Sequence, residues 1–282
     1  MDRLESLKNI IESIRLLYVD AELAEKVASG IEDYIKNPIG SARIALNDST
    51  EYIFEINSII NYITNDLHFH ISKHQQSYSG QPSVLRYTPH YVKLVGLNYF
   101  YNENVRNELI HIFDQLQDPV ILDLRDCRGG DAETVLFILS HFFDDGTPLM
   151  EIHSRLNPVL SIKAVSVIKG FDRANEVKKY KGRVKVLVNN LTFSGGEIIA
   201  KILQVHGRAK IYGTPTVGMF NLTSTRVFGE LELHIPDAKI IDVFSKEDYD
   251  KKGVMPDFNP ISKEYIQTVF SEMFVDTFGV YQ

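Results

Sequence analysis

Residues Leu191 to Ile202, LTFSGGEIIAKI, decide how this chain is read, because they set a serine on a tight turn that runs straight into a helix. Ahead of them Val184 to Asn189, VKVLVN, is a β-branched run bounded by polar residues, the pattern of a buried strand. Behind them Ile198, Ile199, Ile202, Leu203 and Val205 keep helical spacing as far as Gly207, a residue type favoured just past a helix end. Ser194 is therefore expected where a strand end meets a helix N-terminus. Such a junction offers unpaired backbone N–H groups and the positive end of the helix dipole, both suited to a developing oxyanion. Gly195 and Gly196 leave room for a substrate to approach. On local pattern alone Ser194 has two readings, a nucleophile or a plain helix cap.

Composition narrows the class. The chain has 282 residues, 44% of them hydrophobic and 24% charged, which is ordinary for a globular protein with a large core. Its net charge of −7 argues against a nucleic-acid binder, which needs clustered Lys and Arg, and gives no attraction to anionic lipid. Cys127 is the only cysteine, so neither an internal disulfide framework nor a cysteine-based zinc site is expected. The N-terminal MDRLESLKNIIESIRLLYV mixes charges into its apolar residues and resembles neither a signal peptide nor a membrane span. A cytoplasmic location is expected for the chain as written; a trimmed, exported mature form would break that expectation.

Working outward, Leu4, Leu7, Ile10, Ile11, Ile14 and Leu17 recur at helical steps, and further helices are expected over Ala21 to Tyr34 and Glu51 to Ile63. Asn37, Pro38 and Gly40 read as punctuation, and Ser72 to Pro89 as a turn-rich loop. Beyond it, strands at Tyr91 to Phe100, Val120 to Leu124 and Pro148 to His153 alternate with helices at Val105 to Leu116 and Asp131 to Phe143. That alternation predicts an α/β core over residues 76–282, preceded by a small helical bundle over 1–75. The Lys-rich stretch Ile162 to Lys181 has no obvious partner and reads as a lid or a surface crossing.

A serine hydroxyl needs a base and a place for negative charge. His68 and His70, in TNDLHFHI, would share one face of an extended segment and are candidate bases, although a histidine there can equally be structural. Gly129 and Gly130, in DLRDCRGGD, follow a strand end and could present N–H groups to the same site, or simply turn the chain. No third ligand stands at metal-binding spacing from the histidines, so neither metal nor cofactor is expected.

Four segments in order resemble the tail-specific, or C-terminal processing, serine protease family: VILDLRDCRGGD for its D-L-R-x-N-x-G-G loop, LTFSGGE for T-x-S-x-x-E, YGTPTVG for G-x-x-T-x-G, and GVMPD for G-V-x-P-D. Cys127 stands where the family commonly has asparagine. The resemblance implies a crotonase/Clp-protease-like ββα core and a peptidase acting on peptide or protein substrates. Bacterial members place a lysine base after the G-x-x-T-x-G turn, where this chain has Met219, and Lys201 lies about 10 Å along the helix from Ser194. The Ser72 to Pro89 loop is too short to hold a PDZ-like insertion between the N-terminal helices and the core. The resemblance is therefore better to the branch of the tricorn core and the interphotoreceptor retinoid-binding repeats, whose peptidases use Ser, His and an acid. Carried over, it makes Ser194 the nucleophile, His68 the base and Asp250 the acid, with Glu247 and Asp248 as neighbouring alternatives. Gly195 with Gly129 or Gly130 would form the oxyanion hole. The retinoid-binding relatives keep a second function open, a binding module for a hydrophobic ligand, and an inactive scaffold is a third. Phe193, Met219, Phe220 and Leu222 flank the site as either pocket or core residues.

Overall fold

The computed structural model describes residues 2–46, 49–74, 84–98, 103–165 and 177–259. Its contacts divide the chain into two compact units: Met1–Tyr78, Glu151–Ser161 and Asn221–Asp250 in the first, Ser79–Met150, Ile162–Phe220 and Lys251–Gln282 in the second.

The first unit opens with helices α1 (Arg3–Leu17), α2 (Ala21–Lys36), α3 (Pro38–Ala45) and α4 (Thr50–Thr64). Three of them start or stop on local chemistry. Asp20 caps α2 by accepting the Leu23 N–H at 2.9 Å, and Asn65 ends α4 in the left-handed region at φ 48°. Pro38 and Gly40 do not break the chain as expected. Pro38 opens α3 at its first turn, where its missing N–H is harmless, with the Asn37 side chain accepting from Ile39 N at 2.9 Å. Gly40 answers a packing need, since a Cβ there would lie 2.1 Å from the Tyr34 carbonyl oxygen.

Strand β1 (His70–Lys73) follows, and the unit is completed much later by β9 (Leu222–Phe228) and β10 (Leu231–Ile241). Antiparallel pairing sets Ile71 opposite Leu233, and β9 covers the other edge of β10. Leu231, Leu233 and Ile235 close one core with Leu7, Ile10, Ile14, Ile31, Ile56 and Ile60. The helices thus have no complete core without β10, and their unit reaches beyond the boundary at residue 75 that the sequence suggested. Strands β5 (Pro148–Ser154) and β6 (Leu160–Lys163) extend the same sheet, in the order β1-β10-β5-β6, and straddle the division between units.

In the second unit the α/β alternation is as expected. Strands β2 (Val84–Thr88), β3 (Tyr91–Leu94), β4 (Val120–Asp123), β7 (Val184–Val188) and β8 (Lys210–Gly213) form one sheet in that order, with β3, β4, β7 and β8 parallel. Helices α5 (Glu103–Asp114), α6 (Ala132–Phe142) and α7 (Gly195–Val205) alternate with them. All four residues of β4 are buried, the pattern of a strand covered on both faces. The expected loop over Ser72 to Pro89 begins and ends in strand instead, in β1 and β2, and 75–83 lie outside the described residues. Three lysines at the end of Ile162 to Lys181 have partners: Lys178 donates to the Asp114 carbonyl at 2.5 Å, Lys179 pairs with Asp145 at 2.6 Å, and Lys181 pairs with Asp144. Residues 166–176 of that stretch lie outside the described residues.

Candidate active site

Parallel pairing of β4 with β7 brings the loops that follow them to one end of the sheet, where ligands of open α/β sheets gather. Side chains and backbone then stitch the two loops together. Asn189 accepts the Asp126 N–H at 3.0 Å and donates to the Asp126 carboxylate at 2.9 Å. The Thr192 hydroxyl donates to the Leu124 carbonyl at 2.8 Å, and Phe193 N donates to the Cys127 carbonyl at 2.8 Å. The glycine loop is held on its other side as well, with Leu97 N donating to Gly129 O at 2.8 Å and Asp131 N to Leu97 O at 2.9 Å.

These bonds seat Ser194 against the glycines. A Cβ built on Gly129, which has φ 75°, would lie 2.7 Å from Ser194 Cβ and 2.9 Å from Gly195 N, so only glycine fits. A Cβ on Gly195 would lie 3.5 Å from Gly130 N, which makes those two residues neighbours. Ser194, Gly129, Gly130 and Gly195, the sequence candidates of this unit, are therefore brought together. Ser194 itself has φ 52° and ψ −119°, a conformation costly for a residue with a side chain, of the kind that persists where surrounding structure imposes it.

Glu197 does much of the imposing. It is fully buried and its carboxylate takes four donors, two to each oxygen: Thr216 Oγ1 (2.5 Å) and Gly218 N (2.6 Å) on Oε1, Ser194 N (3.1 Å) and Met219 N (2.9 Å) on Oε2. Burial raises its carboxyl above the usual range, against the pull of these donors. The turn it holds is clasped from behind, since Lys251 N donates to Gly218 O at 2.7 Å and Val254 N to Thr216 Oγ1 at 2.7 Å. One carboxylate thus connects the serine turn, the G-x-x-T-x-G turn and the segment that follows Asp250. The sequence offered Glu197 only as a motif letter; an acid three residues after a helix-starting serine is the signal for such a bridge.

Cys127, at the position of the family's asparagine, is fully buried, and burial pushes its thiol up to about 12. It packs closely on Gly196, where an added Cβ would lie 3.1 Å from its Sγ. Met219 and Phe220 are buried at 6% and 1% exposure, which makes them core residues rather than pocket walls.

His68 and Asp250 belong to the first unit. His68 is not on a strand beside His70, as the sequence suggested, but in a turn ahead of β1, because left-handed Asn65 and the Asp66 side chain bend the chain there. Asp66 Oδ1 accepts the His68 backbone N–H at 2.9 Å and stands 3.9 Å from His68 Nδ1. Burial, reinforced by the His70 imidazole, drives His68 down to about 4. His70 instead stacks on His234, ring centroids 4.3 Å apart. Of the acids near the G-V-M-P-D segment, Asp248 is engaged by Lys239 at 2.9 Å and by Asp250 N at 2.9 Å, and Glu247 is exposed. Asp250 and Asp66 both hold the buried Tyr18 hydroxyl in its protonated form, though burial does so more strongly. Among the described residues no group of three metal-binding side chains converges.

A model of the family described as Peptidase family S41 matches residues 91–259, more than half of the chain. Carboxyl-terminal-processing peptidase 2 from the chloroplast of Arabidopsis thaliana is 29% identical over 180 residues, covering 62% of this chain and 32% of that protein. The tail-specific protease of Haemophilus influenzae is 26% identical over 138 residues, covering 48% of this chain and 18% of that protein. The chain spans a third or less of these curated relatives. Among solved structures, a lipoprotein from Streptococcus agalactiae superposes with a TM-score of 0.71 at 13% identity, covering 97% of this chain and 96% of that one. The photosystem II D1 C-terminal processing protease gives 0.59 at 12% identity, covering 92% and 93%. The tricorn protease gives 0.60 at 11% identity, covering 97% of this chain and 37% of its own. At such identities these structures establish the fold and leave the chemistry to the residues.

Proposed function

The chain belongs to peptidase family S41, and from that premise we propose that it is a serine peptidase, hydrolysing peptide bonds in peptide or protein substrates through an acyl-enzyme on Ser194. The observation that carries this reading is the seat of Ser194, held at φ 52° on the turn into α7 beside Gly129, Gly130 and Gly195. A serine needed only as a helix cap has no use for that backbone conformation or for a second glycine loop against its Cβ.

In the proposed reaction His68 takes the Ser194 hydroxyl proton as the oxygen attacks the scissile carbonyl, and Asp250 orients the imidazole and stabilises its charged form. The tetrahedral oxyanion is received by the N–H of Gly195 and one from Gly129 or Gly130. Each such donor contributes about 2.7 to 4 kcal/mol to lowering the barrier, roughly a hundred- to a thousandfold in rate. His68 then protonates the departing amine, and water activated by the same ring releases the acyl group. With its imidazole held down to about 4, His68 is neutral, and so able to accept a proton, throughout the neutral range. The same burial weakens it as a base, which is why a carboxylate must meet the charge that develops.

The test compares hydrolysis of an unstructured protein such as casein by the wild type and by Ser194→Ala. Wild-type cleavage that disappears in the variant, with an unchanged circular-dichroism spectrum, is the expected result. Equal cleavage by both would remove Ser194 from the reaction.

A further inference from the structure

Asp66 has two contacts with His68 from one oxygen, the 2.9 Å bond to its backbone N–H and the 3.9 Å approach to Nδ1 of its ring. The backbone bond fixes where the ring begins, and the approach fixes which ring nitrogen faces a carboxylate. Asp66 is itself built in. It is 2% exposed, its own N–H donates to Thr64 Oγ1 at 3.2 Å, and its carbonyl accepts from Phe69 N at 3.1 Å. Thr64 closes the end of α4 by donating to Ile60 O at 2.8 Å and is hydrogen-bonded to the hydroxyl of Tyr18, the residue at the end of α1. Two helix ends therefore fix the backbone of one buried aspartate, whose carboxylate lies beside one histidine.

A core aspartate needs its oxygens satisfied; it does not need to face an imidazole. We propose that Asp66 is a positioning residue for His68, holding the neutral ring in the tautomer with the proton on Nδ1 so that Nε2 carries the lone pair. The inference rests on the assignment of His68 as base and adds to it a role for a second acid besides Asp250. The geometry explains the order of events. In the resting neutral ring 3.9 Å is longer than a hydrogen bond, so Asp66 selects the tautomer by electrostatics. When Nε2 gains a proton, the ring becomes a cation beside a fixed negative charge and the attraction strengthens. No atom changes hands with Asp66: the proton passes from Ser194 Oγ to His68 Nε2 and on to the leaving amine. His70 is the titratable group whose charge would oppose that of His68. A carboxylate is the group type that offsets it.

The test is ring ¹⁵N NMR of histidine-labelled full-length protein at neutral pH, on the wild type and on Asp66→Asn, joined to the rate at which a fluorophosphonate probe labels Ser194. The Asn retains an oxygen for the His68 backbone N–H but brings an amide that can donate to Nδ1, the change that installs the wrong tautomer in a trypsin-like triad. The expected results are an Nδ1–H tautomer in the wild type, a shift toward Nε2–H in Asp66→Asn, and labelling slowed at least about tenfold, as for one unit of imidazole basicity. An Nε2–H tautomer in the wild type would overturn the proposal without need of any variant, as would an unchanged tautomer and labelling rate in Asp66→Asn. The two readings fail separately. If the wild type neither labels nor cleaves but its tautomer still depends on Asp66, the peptidase assignment falls and the positioning role stands.

Discussion

Glu197→Gln is the substitution whose effect can be worked most closely from the geometry, because it alters charge and leaves shape. Two donors reach each carboxylate oxygen: Thr216 Oγ1 and Gly218 N on one, Ser194 N and Met219 N on the other. A glutamine has one oxygen and one NH₂, so two donors must face another donor. The better orientation turns the NH₂ toward Thr216, whose hydroxyl can accept, and orphans the Gly218 N–H. An orphaned buried N–H costs about 1 to 3 kcal/mol, and exchanging an ionised acceptor for a neutral one costs about 1 kcal/mol for each of the other two. The sum, about 3 to 5 kcal/mol, is a large share of an ordinary domain's stability. Urea unfolding followed by circular dichroism would measure it, with a lower midpoint and an unchanged slope expected. Because Ser194 N is one of the affected donors, the folded fraction should also label more slowly with a fluorophosphonate. A loss of stability under about 1 kcal/mol would refute the view that this carboxylate holds the turn.

Gly129→Ala should abolish labelling of Ser194 and destabilise the fold by about 1 to 3 kcal/mol, because it adds a Cβ 2.7 Å from Ser194 Cβ at φ 75°; wild-type behaviour would contradict the packing. Stability should fall as pH drops from about 6.5 to about 4. His141, fully buried against Phe113 and Phe137, is held down to about 4 by burial, so in that window the unfolded chain takes up a proton that the folded chain refuses. His141 alone should contribute roughly 3 kcal/mol to that loss, and His141→Leu should make the stability–pH curve shallower between those limits while leaving the part owed to His68. Cys127 should resist a thiol reagent at pH 8 until the protein unfolds, since burial keeps it protonated; rapid modification of the native protein would contradict its placement.

The centre of the second unit was legible in the sequence because its elements announce themselves locally: β4 and β7 as short buried runs, α6 and α7 by helical spacing, the glycine loop by position after a strand; the outer strand β2, inside a turn-rich polar stretch, was not. What escaped the sequence depends on partners distant in the chain. The alternation of Leu231, Leu233 and Ile235 is a strand signal, but nothing local says that β10 will complete a core begun at Leu7. α3 escaped because proline and glycine are usual breakers, whereas Pro38 sits where a helix tolerates it and Gly40 is small for the sake of Tyr34. At the site, residue types at motif spacing pointed to Ser194 and the glycines. Motif letters also contain the supports, Glu197 and Asp66, but the four donors to Glu197 and the approach of Asp66 to His68 are properties of the folded chain.

The central claim is that a histidine base activates Ser194, and the most direct test is intact-mass and peptide mapping after fluorophosphonate treatment of the wild type and of His68→Ala. A single adduct on Ser194 in the wild type, formed at least about a hundredfold more slowly without the imidazole, is the predicted result, in line with the usual contribution of a positioned base. Labelling elsewhere, or labelling of Ser194 at the same rate in His68→Ala, would contradict it.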